Sequence, residues 1–173
     1  MKPLLLLVVA CLATECSHAQ SVKIAGEIFY PANTNSSADG SLKEYLLHKE
    51  TLNDWTKMFT IRHFKKLDSP KDYIDRMADD YRKRLPWMKF ASGGQESKNR
   101  WFIDFLMYEK NGPKVMEWNF FRAENNTTGG VLVYQYAERR KYKKSVKELD
   151  NWDIKSLRKQ MLPILMTNEF SMQ

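Results

Sequence analysis

The sequence predicts a single α+β domain built on an antiparallel β-sheet. Three runs typical of strands, 101–109, 115–122 and 131–137, follow one another along the chain. Asn-Gly and Gly-Gly pairs lie in the segments between them, 110–113 and 125–130, and such pairs between alternating runs are typical of hairpins. Two helical patterns, one before and one after these runs, supply the α component.

The N-terminal half contains further short elements. Residues 22–30 predict a first strand, and 31–41 predict a loop because Asn, Ser, Gly and Pro dominate them. Residues 42–48 and 58–64 predict two more strands. Thr51 begins a short segment typical of a capped helical turn, with an acidic residue placed to reciprocate the cap.

Two amphipathic helices are expected. Ser69 is a good N-cap, Pro70 suits the first helical position, and Pro86 should end the helix. The apolar stripe of this helix recurs every three to four residues at Tyr73, Ile74, Met77, Tyr81 and Leu85. A similar stripe covers residues 152–167, where Pro163 predicts a kink or an end just before it.

Alternation within the strand runs predicts how their faces are covered. Residues 115–122 and 131–137 alternate apolar and polar side chains, which indicates one wet face for each strand. Residues 101–109 are apolar on both faces, so this strand should be covered on both sides. Residues 91–98, which include Gly93 and Gly94, predict a flexible loop.

The first nineteen residues have the pattern of a secretory signal peptide. A positive start is followed by a short apolar run and by small residues before a cleavage position after Ala19. We therefore expect residues 20–173 to form the mature domain, secreted or periplasmic, without a transmembrane segment. Residues 8–11 (VVAC) also resemble a lipobox, so an alternative is a lipid tether at Cys11.

Cysteine usage limits the chemistry of the mature domain. Cys11 and Cys16 are the only cysteines and both precede the expected cleavage position, so no disulfide or thiol nucleophile is expected. Extracellular animal domains of this size usually carry disulfides, so a bacterial envelope or secreted protein is favoured. Two histidines remain, His48 and His63, and the sequence has neither an HExxH nor a CxxC motif; we predict neither a metal nor a cofactor.

The net charge of +7 suggests an anionic partner. The sharpest local feature is a basic run that includes Arg139, Arg140, Lys141, Lys143 and Lys144. Clustered cations can bind lipid head groups, acidic polysaccharides or nucleic acid, of which nucleic acid is the poorest partner for an exported protein. The alternative is that these cations protect the exit of an edge strand from strand addition.

The aromatic residues leave a similar choice. Trp118 and Tyr134, with other aromatic residues of the strands, could line a cleft between the sheet and a helix or simply fill the core. Trp55 lies in the segment 50–60 (ETLNDWTKMFT) and is a further candidate for ligand binding. No nucleophile motif is present in the form GxSxG, and an enzyme would need a hydrolase-type Asp/His site, with Asp54 and His63 as residues to test.

The segment 50–60, the helix that begins at Ser69 and the strands that follow resemble uncharacterised secreted bacterial proteins of the PsbP-like fold. The resemblance spans residues 42 to about 165. It implies an antiparallel sheet sandwiched between helices, an α/β/α sandwich. The photosynthetic members are non-catalytic accessory subunits, so the resemblance also implies binding instead of catalysis. The leading hypothesis is an exported, non-catalytic binding or accessory protein that binds an envelope protein or an anionic ligand.

Overall fold

The structure is a computed structural model that describes residues 20–85, 88, 90–108, 114–145, 147, 152–167 and 170–172. Within these residues the chain forms one nine-stranded antiparallel sheet, two α-helices and a 3₁₀ turn at Glu96–Lys98. The strands are β1 (Val22–Ile24), β2 (Glu27–Ser37), β3 (Gly40–Leu46), β4 (Lys57–Phe64), β5 (Phe90–Gln95), β6 (Arg100–Tyr108), β7 (Val115–Asn125), β8 (Val131–Lys141) and β9 (Ser171–Met172). Their order across the sheet is β5-β6-β7-β8-β4-β3-β2-β1-β9. The expected signal peptide and Cys11 lie outside the described residues.

The helices α1 (Pro70–Arg84) and α2 (Ile154–Thr167) lie on opposite faces of this sheet. Two separate apolar clusters show this arrangement. Ile74 of α1 packs in a cluster with Phe121 of β7, whereas Leu165 of α2 packs in another with Phe120, the preceding residue of the same strand. Adjacent residues of a strand point to opposite faces, so each helix packs in a cluster on a different face. The prediction of a large antiparallel sheet with two helices is confirmed.

Helix α1 begins and ends as the sequence predicts. The Ser69 hydroxyl accepts a hydrogen bond from the backbone N–H of Asp72 at 3.1 Å, and Pro70 occupies the first turn. Ile74 and Ala78 form the buried stripe. The cap satisfies one of the backbone donors that a helix leaves unpaired at its start.

Helix α2 covers most of the predicted range and continues past Pro163 to Thr167, so of the two effects expected of Pro163 the early end did not occur. Pro163 is exposed, while Leu165, two residues further on, is buried against the sheet. Proline disfavours a helix because it lacks the backbone N–H, but burial of the last apolar turn against the sheet favours continuation of the helix. The expected end near residue 162 is wrong.

The two predicted loops are also wrong. Residues 31–41 complete β2 and start β3, and only residues 38 and 39 form the turn between them. Here Gly40 is required, since a Cβ on it would lie 1.8 Å from the carbonyl oxygen of His63. Solvent-exposed strand ends have the polar composition of a loop, which explains the error. The predicted strand 22–30 is instead a hairpin, because Ala25 and Gly26 adopt positive φ and form its turn.

The glycine pair of the other predicted loop lies within strand β5 at the sheet edge. A Cβ on Gly94 would lie 2.5 Å from a ring carbon of Trp101 on the neighbouring strand β6. The glycine therefore makes room for an aromatic ring. Residues 91–95 are strand, and only 96–98 form a 3₁₀ turn towards β6.

Strands β7 and β8 lack the wet faces that alternation predicts. Almost all of β7 is buried, from Met116 to Glu124, because α2 covers one face of the strand and α1 part of the other. Polar residues on these strands can be buried: Asn119 is buried, and its side-chain Oδ1 accepts a hydrogen bond from Gln135 Nε2 on β8 at 3.1 Å. Alternation does not distinguish such a buried polar residue from a solvated one.

Neither described helix has the length and apolarity needed to cross a membrane.

Candidate functional site: the basic end of the sheet

Seven basic side chains gather where strand β8 ends and strand β7 begins. We call this group the basic end; its members are Lys114, Arg139, Arg140, Lys141, Lys143, Lys144 and Lys147. The two parts of the chain are joined through the backbone, since the N–H of Tyr142 donates to the carbonyl of Lys114 at 2.9 Å. The Lys114 ammonium in turn donates to the carbonyl of Lys143 at 2.5 Å. The basic run found in the sequence is therefore part of a larger cluster.

Strand β8 is not an edge strand. It lies between β7 and β4 and continues to Lys141, beyond the predicted end at residue 137. Protection of a sheet edge, the alternative explanation of the basic run, is wrong for the residues of β8. Their positions must be explained by their own contacts.

Arg139 fastens a loop to one face of the sheet. Its guanidinium carbon lies 4.0 Å from the centroid of the Trp55 ring. Its Nε donates to the carbonyl of Trp55 at 2.5 Å, and Nη2 donates to the carbonyl of Asn53 at 3.3 Å. Stacking and two backbone hydrogen bonds together hold the loop 51–55 against β8.

Arg140 performs the equivalent role on the opposite face. Its guanidinium carbon lies 4.8 Å from the ring centroid of Trp152, which precedes helix α2 by two residues. A guanidinium nitrogen is 3.6 Å from a carboxylate oxygen of Glu138. The two successive arginines thus anchor two different segments, one on each face, as the period of a strand requires.

Lys141 reaches the tip of the same loop that Arg139 holds. Its ammonium lies 2.7 Å from the Asp54 carboxylate, and 65% of its side chain remains exposed. The hydrogen bond and the charge of Lys141, with the charge of Arg139, lower the pKa of Asp54 below its ordinary value. Residues 51–54 form a tight turn, not the expected helical one, although the predicted cap contact exists between the Thr51 hydroxyl and the Asp54 N–H at 3.2 Å.

Ion pairs within the described residues join three of these cations to carboxylates: Arg139 to Glu117, Arg140 to Glu138 and Lys141 to Asp54. Lys143, Lys144 and Lys147 are exposed. Clustered cations on one end of a packed sheet can bind a polyanion and release its counterions.

The aromatic candidates separate in the structure. Trp55 belongs to the basic end through its stack with Arg139, but Trp118 is fully buried in the core below α2. Its indole N–H donates to Asp104 at 3.3 Å, and Arg158 of α2 donates to the other carboxylate oxygen of Asp104 at 2.8 Å. These contacts link helix α2 to the sheet beside a cavity of about 220 Å³. For Trp118 the core role is thus the one that the geometry favours.

Tyr134 lies at the other end of β8, beneath a group that the sequence did not indicate. The buried arginine cluster consists of Arg100, Arg122 and Glu124. Arg122 is completely buried, lies over the Tyr134 ring at 4.3 Å, and donates to the carbonyl of Leu165 at 2.5 Å. Arg100 donates to the carbonyl of Met166 at 2.6 Å and forms an ion pair with Glu124. Two arginines therefore satisfy carbonyls at the C-terminal end of α2.

Burial lowers the pKa of Arg122 to about 10, an effect that the charge of Glu124 opposes. The only sequence signal for this cluster is a charged residue at an alternating strand position, which is equally typical of a solvated face. Its partners lie far along the chain, so spacing could not reveal them.

The residues of the enzyme alternative do not meet. Asp54 pairs with Lys141 at the basic end, whereas His63 lies opposite Leu132 at the far end of β8. The His63 Nε2 is 2.8 Å from the carbonyl of Gly129, which ties it to the β7–β8 turn. Among the described residues there is also no group of three or more His, Cys, Asp or Glu side chains that could hold a metal ion.

Fold and site together define an antiparallel α+β domain with a basic end. The model of an uncharacterised protein family matches residues 17–168, nearly the whole chain, and the chain belongs to that family. A comparison with curated proteins gives no match.

Proposed function

We propose that this chain is an exported, non-catalytic binding protein of the cell envelope that holds an anionic partner at its basic end. The proposal rests on the gathering of seven basic side chains, most of them exposed lysines, at one end of a packed sheet. The N-terminal signal pattern supports export. The resemblance to the PsbP-like fold supports binding, and one helix on each face of the sheet is consistent with the α/β/α sandwich of that fold.

The lysines are the better candidates for contact with the partner. Arg139 and Arg140 stack on tryptophans, and Arg139 also donates to two backbone carbonyls, so these arginines serve the fold. Lys141, Lys144 and Lys147 project from exposed positions where an anion can approach. An ammonium on a flexible stem can also adjust to an irregular polyanion.

Heparin is a suitable probe, and neutralising lysines tests the site without disturbing the arginine stacks. The variant carries Lys141→Gln, Lys143→Gln, Lys144→Gln and Lys147→Gln. A matched control carries the same change at four exposed lysines elsewhere, Lys65, Lys66, Lys83 and Lys98. Both variants lose the same net charge, so only a local site distinguishes them.

Wild type should bind heparin, and affinity should fall steeply as salt rises. The basic-end variant should lose about tenfold or more in affinity, and the slope against salt should drop by roughly one per lysine. The control should stay close to wild type. Equal losses in the two variants, or no binding by wild type, would contradict the proposal.

Export is tested separately by the mass of the mature N-terminus. A chain that begins at Gln20 supports the signal peptide, and an acylated Cys11 supports the lipid tether. A mature chain that retains Met1 would contradict export.

A further inference from the structure

Three large apolar side chains stand out as exposed among the described residues. They are Ile28, Tyr30 and Leu52, with 37%, 43% and 44% of their surface exposed. Single exposed apolar residues are common, but a group on one surface indicates an interaction site.

Strand geometry and loop position bring the three together. Ile28 and Tyr30 flank the buried Phe29 on β2, so they point to the same face. Tyr30 and Leu52 line one open concavity of about 380 Å³, and His48 lies against Tyr30 with ring centroids 5.5 Å apart. A single apolar surface therefore extends from β2 to the tip of the 51–54 turn.

Cations border this surface. Lys23 lies directly across from Ile28 in the β1–β2 pair, on the same face, and Lys49 lines the concavity. Both are exposed. We call the surface formed by Lys23, Ile28, Tyr30, Lys49 and Leu52 the docking face.

The docking face is continuous with the basic end. Leu52 sits at the tip of the turn whose Asp54 pairs with Lys141 at 2.7 Å. The neighbouring carbonyl, that of Asn53, accepts from Arg139 at 3.3 Å. The loop thus carries an apolar side chain on its tip, while its base contacts two cations of β8.

We propose that the docking face binds the surface of an anionic lipid bilayer, an inference that rests on the proposed function and names its partner. Ile28, Tyr30 and Leu52 enter the boundary between head groups and acyl chains. The lysines of the docking face and of the basic end contact lipid phosphates. A peripheral membrane site combines two features: apolar side chains that insert into the bilayer interface, and cations beside them that pair with anionic lipid.

Charge complementarity selects this occupant over others. A soluble polyanion would engage the lysines but would leave Ile28 and Leu52 in water. A second copy of the chain would place like charges together, because the same cations border the apolar surface on both copies. An anionic bilayer satisfies both the apolar and the cationic parts of the surface.

Vesicle cosedimentation tests the inference. The probes are vesicles of pure phosphatidylcholine and vesicles that also contain phosphatidylglycerol. The variant combines Ile28→Ser, Tyr30→Ser and Leu52→Ser, all at exposed positions, and its denaturation midpoint is compared with that of wild type. The four-lysine control at Lys65, Lys66, Lys83 and Lys98 checks for an effect of net charge alone.

Wild type should bind the phosphatidylglycerol vesicles at least about tenfold more tightly than the neutral ones, since anionic lipid attracts the cations. The triple variant should lose about tenfold or more in vesicle affinity but keep its heparin affinity, because it retains every cation. Loss of vesicle binding in the control, or full binding by the triple variant, would overturn the inference. Heparin binding without any vesicle binding would overturn it while the proposed function stands; absence of both would remove the proposed function as well.

A second variant reports insertion directly and does not depend on a loss. Leu52→Trp places an indole on the tip of the loop. Its fluorescence should shift to the blue and be quenched by brominated lipid when phosphatidylglycerol vesicles are added. An unchanged spectrum with vesicles, together with a sedimentation coefficient that rises with protein concentration, would indicate self-association through this surface and would overturn the inference.

Discussion

The two ends of strands β7 and β8 both collect arginines, yet they use them differently. At one end Arg122 is completely buried and donates to a helix carbonyl. At the other end Arg139 lies flat on a tryptophan, and Lys141 beyond it keeps 65% of its side chain exposed. The same sheet thus carries a buried cluster of arginines at one end and a largely exposed cluster of cations at the other.

The difference shows that local charge density does not reveal the role of a cation. The buried arginine cluster lies where the negative end of the α2 dipole needs donors, and there a guanidinium can supply several. At the basic end Arg139 holds a loop, while Lys141, Lys143, Lys144 and Lys147 are exposed, and we propose that these lysines bind the partner. Substitutions at the two ends should therefore have different consequences.

The largest effect on stability is expected at the buried end. Arg122→Ala should lower the free energy of unfolding by about 3–5 kcal/mol, because it leaves Glu124 and the Leu165 carbonyl without this donor in a buried site. Chemical denaturation measures the change. The control Arg76→Ala, at an exposed position of α1, should stay within about 0.5 kcal/mol of wild type. A loss below about 1 kcal/mol for Arg122→Ala would contradict a structural role.

An intermediate effect is expected for the arginine that holds the loop. Arg139→Ala should cost about 1–2 kcal/mol, since a tryptophan stack and two hydrogen bonds to backbone are lost. Arg140→Ala should cost about 0.5–1 kcal/mol, because it loses one longer stack and a half-exposed ion pair. Chemical denaturation and the near-ultraviolet circular dichroism of tryptophan measure both. The reverse order would show that Trp152, not Trp55, is the more firmly held.

The buried end should also respond to alkali through Tyr134. Burial, reinforced by the charge of Glu124, raises its pKa above the ordinary value near 10.0. A tyrosine whose pKa is raised in the fold contributes its full stabilisation at pH values below the ordinary pKa. This stabilisation is lost as the pH rises through the pKa of the folded state. Tyr134→Phe removes this contribution, so between these two pKa values the variant should lose less stability per pH unit than wild type.

Arg122 acts with the opposite sign, since a cation whose pKa is lowered to about 10 regains stability above that pH. Arg122 is present in both proteins but interacts directly with Tyr134, so the difference in slope belongs to the pair. Denaturation at a series of alkaline pH values, with tyrosinate absorbance on the same samples, gives the two slopes. Parallel slopes would show that Tyr134 ionises as it does in water.

The smallest effect is expected at the exposed end, where Lys141 acts on Asp54. Because the pKa of Asp54 is lowered in the fold, its pairing with Lys141 stabilises the fold at pH values above the ordinary carboxyl pKa. This stabilisation is lost as the pH falls through the lowered pKa of the folded state. Lys141→Gln should return the pKa towards its ordinary value without a measurable change in folding. Titration of the carboxyl carbon by nuclear magnetic resonance measures this. A pKa that stays equally low would mean that Arg139 alone sets it.

Much of the fold could be predicted because its signals are local. The cap at Ser69, the apolar run that became β6 and the alternating runs that became β4 and β7 require only neighbouring residues. The hairpin of β2 and β3 was missed because both faces of its far end are in water, so its composition resembles a loop. The continuation of α2 past Pro163 depends on burial that only the assembled sheet provides.

The site could be predicted only in part, for a related reason. A run of cations such as Arg139 to Lys141 is visible in the sequence, but its partners Trp55, Asp54 and Trp152 come from distant segments. The docking face is likewise assembled from β2 and a later loop. Its residues appear in the sequence as ordinary apolar positions, and only their exposure in the fold distinguishes them.

The decisive measurement for the basic end is the heparin affinity of the four-lysine variant at positions 141, 143, 144 and 147, taken together with its denaturation midpoint. We expect the affinity to fall by about tenfold or more while the free energy of unfolding changes by less than about 0.5 kcal/mol. Wild-type affinity in a stable variant would contradict the proposed site, as would unfolding of the variant, because either result would show that these lysines do not form a binding surface separate from the fold.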